Sequence, residues 1–350
     1  MSKSGLWACC KVAILSALLV IASTGACAGQ AKATTPTGAL NLDNPIVLQR
    51  ADPWIHRDEA SGCYTFIGTA PEFDRIELRQ ACRLNDLKLA EPVVVWRKPE
   101  SGPMSANIWA PELHRIDGVW YIHFAAGDVE KRFSIRMYAL SNPSEDPASG
   151  EWKEEGQIVT HLDSFALDAT TFAHRGKRYL VWAQMDTERS YNSALWMAEM
   201  DSPVSIKPPV VLLSEPTLDW ETQGYKVNEG AAVIVRNGRV FMTYSASATD
   251  HRYAMGLLRA DEDADLMDPR SWHKNPEPVF ATNEALGRYG PGHNSFTVAE
   301  DGQTDLMIYH ARDYLELQGT PLTDPNRHAR ARVLYWDESG FPDFRQTMGD

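Results

Sequence analysis

A pattern that returns five times constrains this chain more than any local motif does. A polar or acidic residue is followed by a short apolar run, a turn, and a second run dense in aromatic and β-branched residues. The second runs are CYTFIG, WYIHFA, RYLVWA, VFMTYS and LMIYHA, and aligning on them puts Asp52, Ala110, Asp168, Glu229 and His293 in one column. The steps down that column are 58 (110 − 52), 58 (168 − 110), 61 (229 − 168) and 64 (293 − 229). The turns Asp117-Gly118, Arg175-Gly176, Asn237-Gly238 and Asp301-Gly302 fall at the same place in units two to five, and Ser61-Gly62 occupies it in the first. Register this regular marks a fold assembled from copies of one unit.

The unit reads as β structure. No helical periodicity beyond about two turns occurs after the leader, and short Val-, Ile-, Tyr-, Phe- and Trp-rich runs alternate with Gly- and Pro-containing turns. Four strands fit each unit. In the second they are 108–115, 119–125, 135–140 and 152–159; in the third, 169–173, 179–184, 195–200 and 210–213. The fourth gives 231–235, 240–245, 254–259 and an outer strand near 278–280, and the fifth gives 295–298, 305–310 and 333–336. The stretch 46–49 is expected to supply the fifth unit's outer strand. The predicted architecture is an all-β, five-bladed propeller of four-stranded antiparallel blades around a central channel. A β-sandwich is the rival, but it accounts for no column of polar residues at a period near 60. In a propeller the innermost strands line the channel, so Asp52, Asp168 and Glu229 are expected to face one funnel.

Composition narrows the ligand. A formal charge of −13 argues against nucleic acid, anionic membranes and polyanionic substrates. With 11 Trp, 12 Tyr and 11 Phe, a neutral, sugar-like ligand fits better. No protein partner is expected. Residues 1–28 read as a secretory signal: Lys3 and Lys11 precede the apolar run 12–23, and Ala26 and Ala28 offer a cleavage site. Cleavage before Cys27 would instead leave a lipidated N-terminus. Residues 29–43 read as a flexible linker and 44–350 as one catalytic domain. Cys63 and Cys82 flank a hairpin and are expected to pair in an oxidising, exported setting, with two free thiols as the alternative.

Converging carboxylates in a neutral pocket suggest glycoside hydrolysis, which needs one carboxylic acid and one base or nucleophile. Carboxyl groups about 6.5–9.5 Å apart leave room for a water and invert configuration, whereas about 5–5.5 Å gives retention. Residues on separate blades suit the wider gap. A third carboxylate near the acid would raise its pKa and keep it protonated.

The segments RADPWI (50–55), NIWAPEL (107–113), SFALDATTF (164–172), VNEGAAVI (227–234) and YGPGHNSF (289–296) resemble glycoside hydrolase family 43, in order and over about residues 44–344. The resemblance implies five-bladed propellers that cleave arabinose- and xylose-containing glycosides with inversion. It implies that Asp52 is the general base, Asp168 the pKa modulator and orienting carboxylate, and Glu229 the general acid. It also implies a metal ion, calcium being the candidate, or a water network at His293, while the chemistry itself needs no cofactor. A high-affinity calcium loop is not evident in the sequence.

Trp109 and Trp54 are candidate sugar platforms, each with inter-blade packing as the alternative. Gln184 and Arg312 are candidate hydrogen-bonding residues for substrate. The insertions 215–227, 282–290 and 312–330 are expected to wall the cleft and favour a chain end. Stretches such as PEFDRIEL and ESGPMSANIWAPE resemble the exo-acting α-L-arabinofuranosidase branch, acting on plant-type oligosaccharide or polysaccharide. The alternatives are a β-xylosidase on the same scaffold and a non-catalytic sugar-binding propeller. The latter is expected to lack a carboxylate of the three, and this chain has them all.

Overall fold

Each repeat unit folds as one antiparallel sheet whose strands follow chain order. The computed structural model describes residues 40–350; the expected signal, Cys27 and most of the expected linker lie outside the described residues. Blade one comprises β1 (Ala51–Arg57), β2 (Tyr64–Thr69), β3 (Arg75–Ala81) and β4 (Val93–Arg97). Blade two comprises β5 (Ala106–Ile116), β6 (Val119–Asp128), β7 (Lys131–Asn142) and β8 (Lys153–Gln157). Blade three holds β9 (Ala166–His174), β10 (Lys177–Gln184), β11 (Ala194–Ser202) and β12 (Ser205–Ser214). Blade four holds β13 (Asn228–Arg236), β14 (Arg239–Ala246), β15 (Ala254–Asp261) and β16 (His273–Lys274), and blade five β17 (Tyr289–Val298), β18 (Asp305–Arg312) and β19 (His328–Val333). The first strands pack around the channel in the order β1, β5, β9, β13, β17 and back to β1.

The ring closes where the sequence places the closure. Val47 pairs antiparallel with Ala329 of β19. Asn44 adds a double clasp, donating to the Ala331 carbonyl at 2.7 Å and accepting from its N–H at 2.8 Å. Leu40 and Leu42, expected within the linker, instead pack on the core beneath this clasp.

Two strands differ from expectation. Blade five's third strand is His328–Val333, not 333–336; Tyr335–Trp336 forms a separate small hairpin with Pro342–Asp343. The charged alternation HARARV reads as loop, yet Arg330 and Arg332 are buried, Arg330 paired with Asp313 and Arg332 donating to the Arg345 carbonyl at 2.7 Å. In blade four the outer strand is split. His273–Lys274 pairs with β15, and Phe280 rejoins it opposite Met255. Pro276 and Pro278 lie between the pieces and have no N–H to donate to a ladder.

The repeated turns have a physical basis. At Asp117-Gly118, Arg175-Gly176 and Asn237-Gly238 both residues have positive φ, the type I′ geometry that matches strand twist in a tight hairpin. The cysteines flanking the β2–β3 hairpin are bonded to each other, Cys63 to Cys82.

Candidate active site

The inner strand of every blade carries a bulge at the channel mouth, and the bulge sets the site. Ladder register aligns Ala51 opposite Thr69, Trp109 opposite Ala125, Leu167 opposite Ala183, Glu229 opposite Ser245, and Gly292 opposite His310. The next residue in each blade is left-handed: Asp52 (φ 52°), Ala110 (44°), Asp168 (57°), Gly230 (56°) and His293 (44°). Glu229 therefore does not share the column of Asp52 and Asp168. It stands one residue earlier, in the column of Trp109. The spacings become 58, 58, 62 (230 − 168) and 63 (293 − 230).

The reason for Gly230 is steric as well as conformational. A Cβ there would sit 2.9 Å from Cγ of His293. Blade four cannot present a side chain at the left-handed position, so its carboxylate comes from the residue before, on a longer side chain.

A bulge frees a backbone N–H, and a buried N–H needs a partner. In four blades the preceding blade supplies it. Asp52 N–H donates to His310 Nδ1 at 3.0 Å, Ala110 to Thr69 Oγ1 at 2.7 Å, Gly230 to Asp168 Oδ2 at 3.1 Å, and His293 to Ser245 Oγ at 2.8 Å. Thr69 passes the contact on, donating to Asp52 Oδ2 at 2.6 Å. The bulges that aim the functional groups are thus cross-linked around the ring.

Above this floor lies a cavity of about 680 Å³ lined by Asp52, Asp168, Glu229 and His293, with Trp109, Phe133, Phe165, Tyr225 and Leu322 among its walls. Tyr225 and Val227 come from insertion 215–227, and Thr320 to Leu322 and Arg327 from insertion 312–330. Insertion 282–290, expected as a wall, contributes nothing to this lining. Trp109 is at the cavity, braced edge-on by Phe73 with ring centres 5.8 Å apart.

Three of the proposed substrate contacts lie elsewhere. Trp54 packs between blades, its indole donating to the Leu113 carbonyl at 2.8 Å and its ring 4.8 Å from that of His114. Gln184 is fully buried and spent on the 160–164 loop, donating to Thr160 Oγ1 and the Leu162 carbonyl at 2.8 Å each. Arg312 is buried under the 312–330 insertion, tying the Pro321 carbonyl (3.1 Å) to that of Thr249 (2.9 Å). Arg327, in the same insertion, is the arginine that reaches the cavity, with Nη1 3.4 Å from Asp52 Oδ1.

Electrostatics divides the carboxyl groups. Burial pushes Asp52 upward, but His293 at 3.2 Å, Arg327 and His310 at 3.5 Å outweigh it and hold the carboxyl well below the usual range. Asp168 goes the other way: burial and repulsion from Asp52 push it up to about 6, against the opposing pull of His293 and the Gly230 N–H. Burial and the nearby Asp168 push Glu229 up to about 8, although His293 and a hydrogen bond from Tyr253 oppose this. Burial would depress His293, but Asp52, Asp168 and Glu229 together push it up to about 10. Near neutral pH the site therefore holds two carboxylates, one carboxylic acid and an imidazolium. One group can accept a proton and another can donate one.

His293 does not offer the donor set a calcium ion takes. Calcium favours six to eight oxygen ligands, whereas Nδ1 of this ring faces Asp52 at 3.2 Å and Asp168 at 3.8 Å as a cation. Among the described residues no group of three or more His, Cys, Asp or Glu side chains is arranged to hold a metal. Through Nδ1 the histidine faces these two carboxylates as a counter-ion does.

The sequence reading missed Arg327, Thr69, His310 and Glu112. Glu112 is a further buried carboxyl on β5, facing His114 Nε2 at 3.0 Å; burial raises it well above the carboxylate range and depresses His114. Thr69 and His310 each pair with the residue before the left-handed one, in the first and fifth blades, a match visible in the ladder and not in the aligned runs.

Comparison with known proteins agrees with this geometry. The family model for glycosyl hydrolases family 43 matches residues 42–342. An extracellular exo-α-(1→5)-L-arabinofuranosidase of Streptomyces avermitilis is 49% identical over 91% of this chain and 66% of its own length. An enzyme of the same name from Streptomyces chartreusis is 53% identical over 80% of this chain and 85% of its own. The crystal structure of an α-L-arabinofuranosidase from Lactobacillus brevis superposes with a TM-score of 0.84 at 50% identity, covering 86% of this chain and 95% of that one. This chain thus spans about two thirds of the Streptomyces avermitilis protein and most of the other two.

Proposed function

Because this chain belongs to glycosyl hydrolases family 43, we propose that it is an exported, inverting, exo-acting α-L-arabinofuranosidase, releasing terminal arabinofuranosyl residues from arabinan or arabinose-decorated plant saccharides. The observation that carries the reading is the split between Asp52, held ionised, and Glu229, held protonated, at one cavity. Asp52 takes a proton from water as that water attacks the anomeric carbon. Glu229 gives its proton to the departing glycosidic oxygen on the opposite face, through an oxocarbenium-like transition state. Asp168 is the anion that keeps Glu229 protonated. A strongly depressed pKa makes Asp52 a weaker base, but it also keeps that base ionised across the working range. These steps require no cofactor.

The names of the relatives favour arabinofuranose over xylose. The walls raised by Tyr225, Leu322 and Arg327 favour a chain end over an internal stretch. Export is read from residues 1–28 and from the two Streptomyces relatives, both named extracellular. Hydrolysis of 4-nitrophenyl α-L-arabinofuranoside and β-D-xyloside, measured side by side, tests the substrate class. The arabinoside should be turned over with much the higher kcat/KM. A preference for the xyloside would move the assignment to β-xylosidase, and binding without turnover of either would leave a sugar-binding propeller.

The pH profile supplies a second test. Activity should fall on the alkaline side as Glu229 ionises near 8. In Asp168→Asn the nearest anion is gone, so Glu229 loses its proton more easily and the alkaline limb should move to lower pH, by on the order of one unit. An alkaline limb unmoved in that variant would detach Asp168 from the acid.

A further inference from the structure

Glu229 is gripped by a residue that no role above uses. Tyr253 stands at the turn into β15, 1% exposed, and its hydroxyl donates to Glu229 Oε1 at 2.9 Å. Its ring lies parallel to that of His310, 6° between planes with centres 5.7 Å apart. That histidine in turn accepts the backbone N–H of Asp52. The holders of the two carboxyl groups are therefore in direct contact.

The chain makes unusual room for this ring. A Cβ on Gly292 would lie 2.5 Å from Tyr253 Cε1, closer than real carbon atoms approach. A Cβ on Gly290, at φ 56°, would lie 2.1 Å from the Asp250 carbonyl oxygen, on the turn that carries the tyrosine. Both glycines of Gly290-Pro291-Gly292 thus clear a slot for Tyr253 and its turn. The motif ahead of His293 is explained by what it admits, not only by the histidine it delivers.

Resting on the reading of Glu229 as the acid, we infer that Tyr253 is a positioning residue for proton delivery. Its single hydroxyl proton is committed to Oε1, which leaves Oε2 as the oxygen that carries the transferable proton. The same hydrogen bond stabilises the carboxylate once the proton has left, because a donor to a charged oxygen is worth more than one to a neutral oxygen. Burial and the anions around it keep the phenol protonated, so it remains a donor across the working pH range. The groups that face Glu229 are Asp168 on β9, Asp52 on β1, His293 on β17 and Tyr253 itself. Only Tyr253 can be altered without changing the charge of the cluster.

Tyr253→Phe keeps the ring, its stacking on His310 and its slot, and removes the hydroxyl alone. For unactivated arabinosides kcat should fall roughly ten- to hundredfold, while for 2,4-dinitrophenyl arabinoside, which needs little proton donation, it should change little. The alkaline limb should move to higher pH, because the donor that favoured the carboxylate is gone. In a Glu229→Gln background the same change should add no further leaving-group dependence. Three outcomes overturn the inference: kcat and limb both unchanged, an equal loss on good and poor leaving groups with the limb unmoved, or full additivity with Glu229→Gln. Failure of the acid assignment is distinguishable, since Glu229→Gln alone would then retain activity on unactivated substrates.

Discussion

Asp52→Asn is expected to lower kcat roughly 10³- to 10⁴-fold, at the upper end of what a positioned general base supplies. The amide fits the same space but cannot take a proton from water. The loss should be similar for activated aryl arabinosides and for arabino-oligosaccharides, because water activation by Asp52 does not depend on the aglycone. It should also exceed what misplacement alone would cause, since Thr69 Oγ1 and the Asp52 N–H hold the backbone and one oxygen in place. A second consequence concerns His293, which is cationic mainly because of Asp52 and Asp168. Without the Asp52 charge its pKa should fall toward the ordinary imidazole range, a shift that NMR titration of the histidine resonances would report. Activity within tenfold of wild type, or a loss that grows with the leaving group's basicity, would remove Asp52 from the base role.

Glu229→Gln should separate substrates sharply. For unactivated arabinosides kcat should fall roughly 10²- to 10⁴-fold, whereas for 2,4-dinitrophenyl arabinoside it should stay within about tenfold. A plot of log kcat against leaving-group pKa should steepen accordingly. The alkaline limb should vanish for the activated substrate, because the group that set it no longer titrates. Stability should respond as well. Burial and the neighbouring Asp168 push Glu229 up to about 8 in the folded state, from an ordinary value of 4.5, so the folded protein holds that proton more tightly than the unfolded chain. Its contribution to stability is fully present below about 4.5 and is lost as pH rises through about 8. Glutamine has no such loss, so the variant's Tm should exceed the wild type's at pH 8 and approach it at pH 5. A flat difference in Tm across that range would contradict the buried, protonated acid.

Much of the fold was legible because a propeller repeats its information. Five aromatic runs, five turns and four nearly equal spacings each fix the same register, and the closure by residues 46–49 follows from a fifth blade short of one strand. Less legible was anything decided by a single residue of slip. The column through Glu229 differs from the structural one by one position, which a spacing of 61 against 62 does not reveal. Only the contact between Gly230 and His293 shows why blade four departs. Strand β19 was hidden by its own charges, since Arg330 and Arg332 are buried through partners distant in sequence.

The candidate site divides in the same way. Asp52, Asp168, Glu229, His293 and Trp109 all meet at the cavity because their column positions force it. Gln184, Arg312 and Trp54 were chosen for side-chain chemistry near those columns, and each turns out to donate to the fold's own loops and strands. Arg312 and Arg327 belong to one insertion, and nothing local distinguishes the arginine that braces the loop from the one that enters the cavity. Tyr253 was invisible for a related reason: it lies in a turn, and its function depends on a slot cut by two glycines about forty residues away.

The most direct test of the two-carboxylate account is the stereochemistry of the first product. Proton NMR of an α-L-arabinofuranoside digest, recorded before mutarotation proceeds, should show β-L-arabinofuranose appearing first, as direct attack by a water held on Asp52 requires. Initial formation of the α anomer would mean that a carboxylate attacks carbon and a covalent intermediate forms, which would contradict the base role assigned to Asp52.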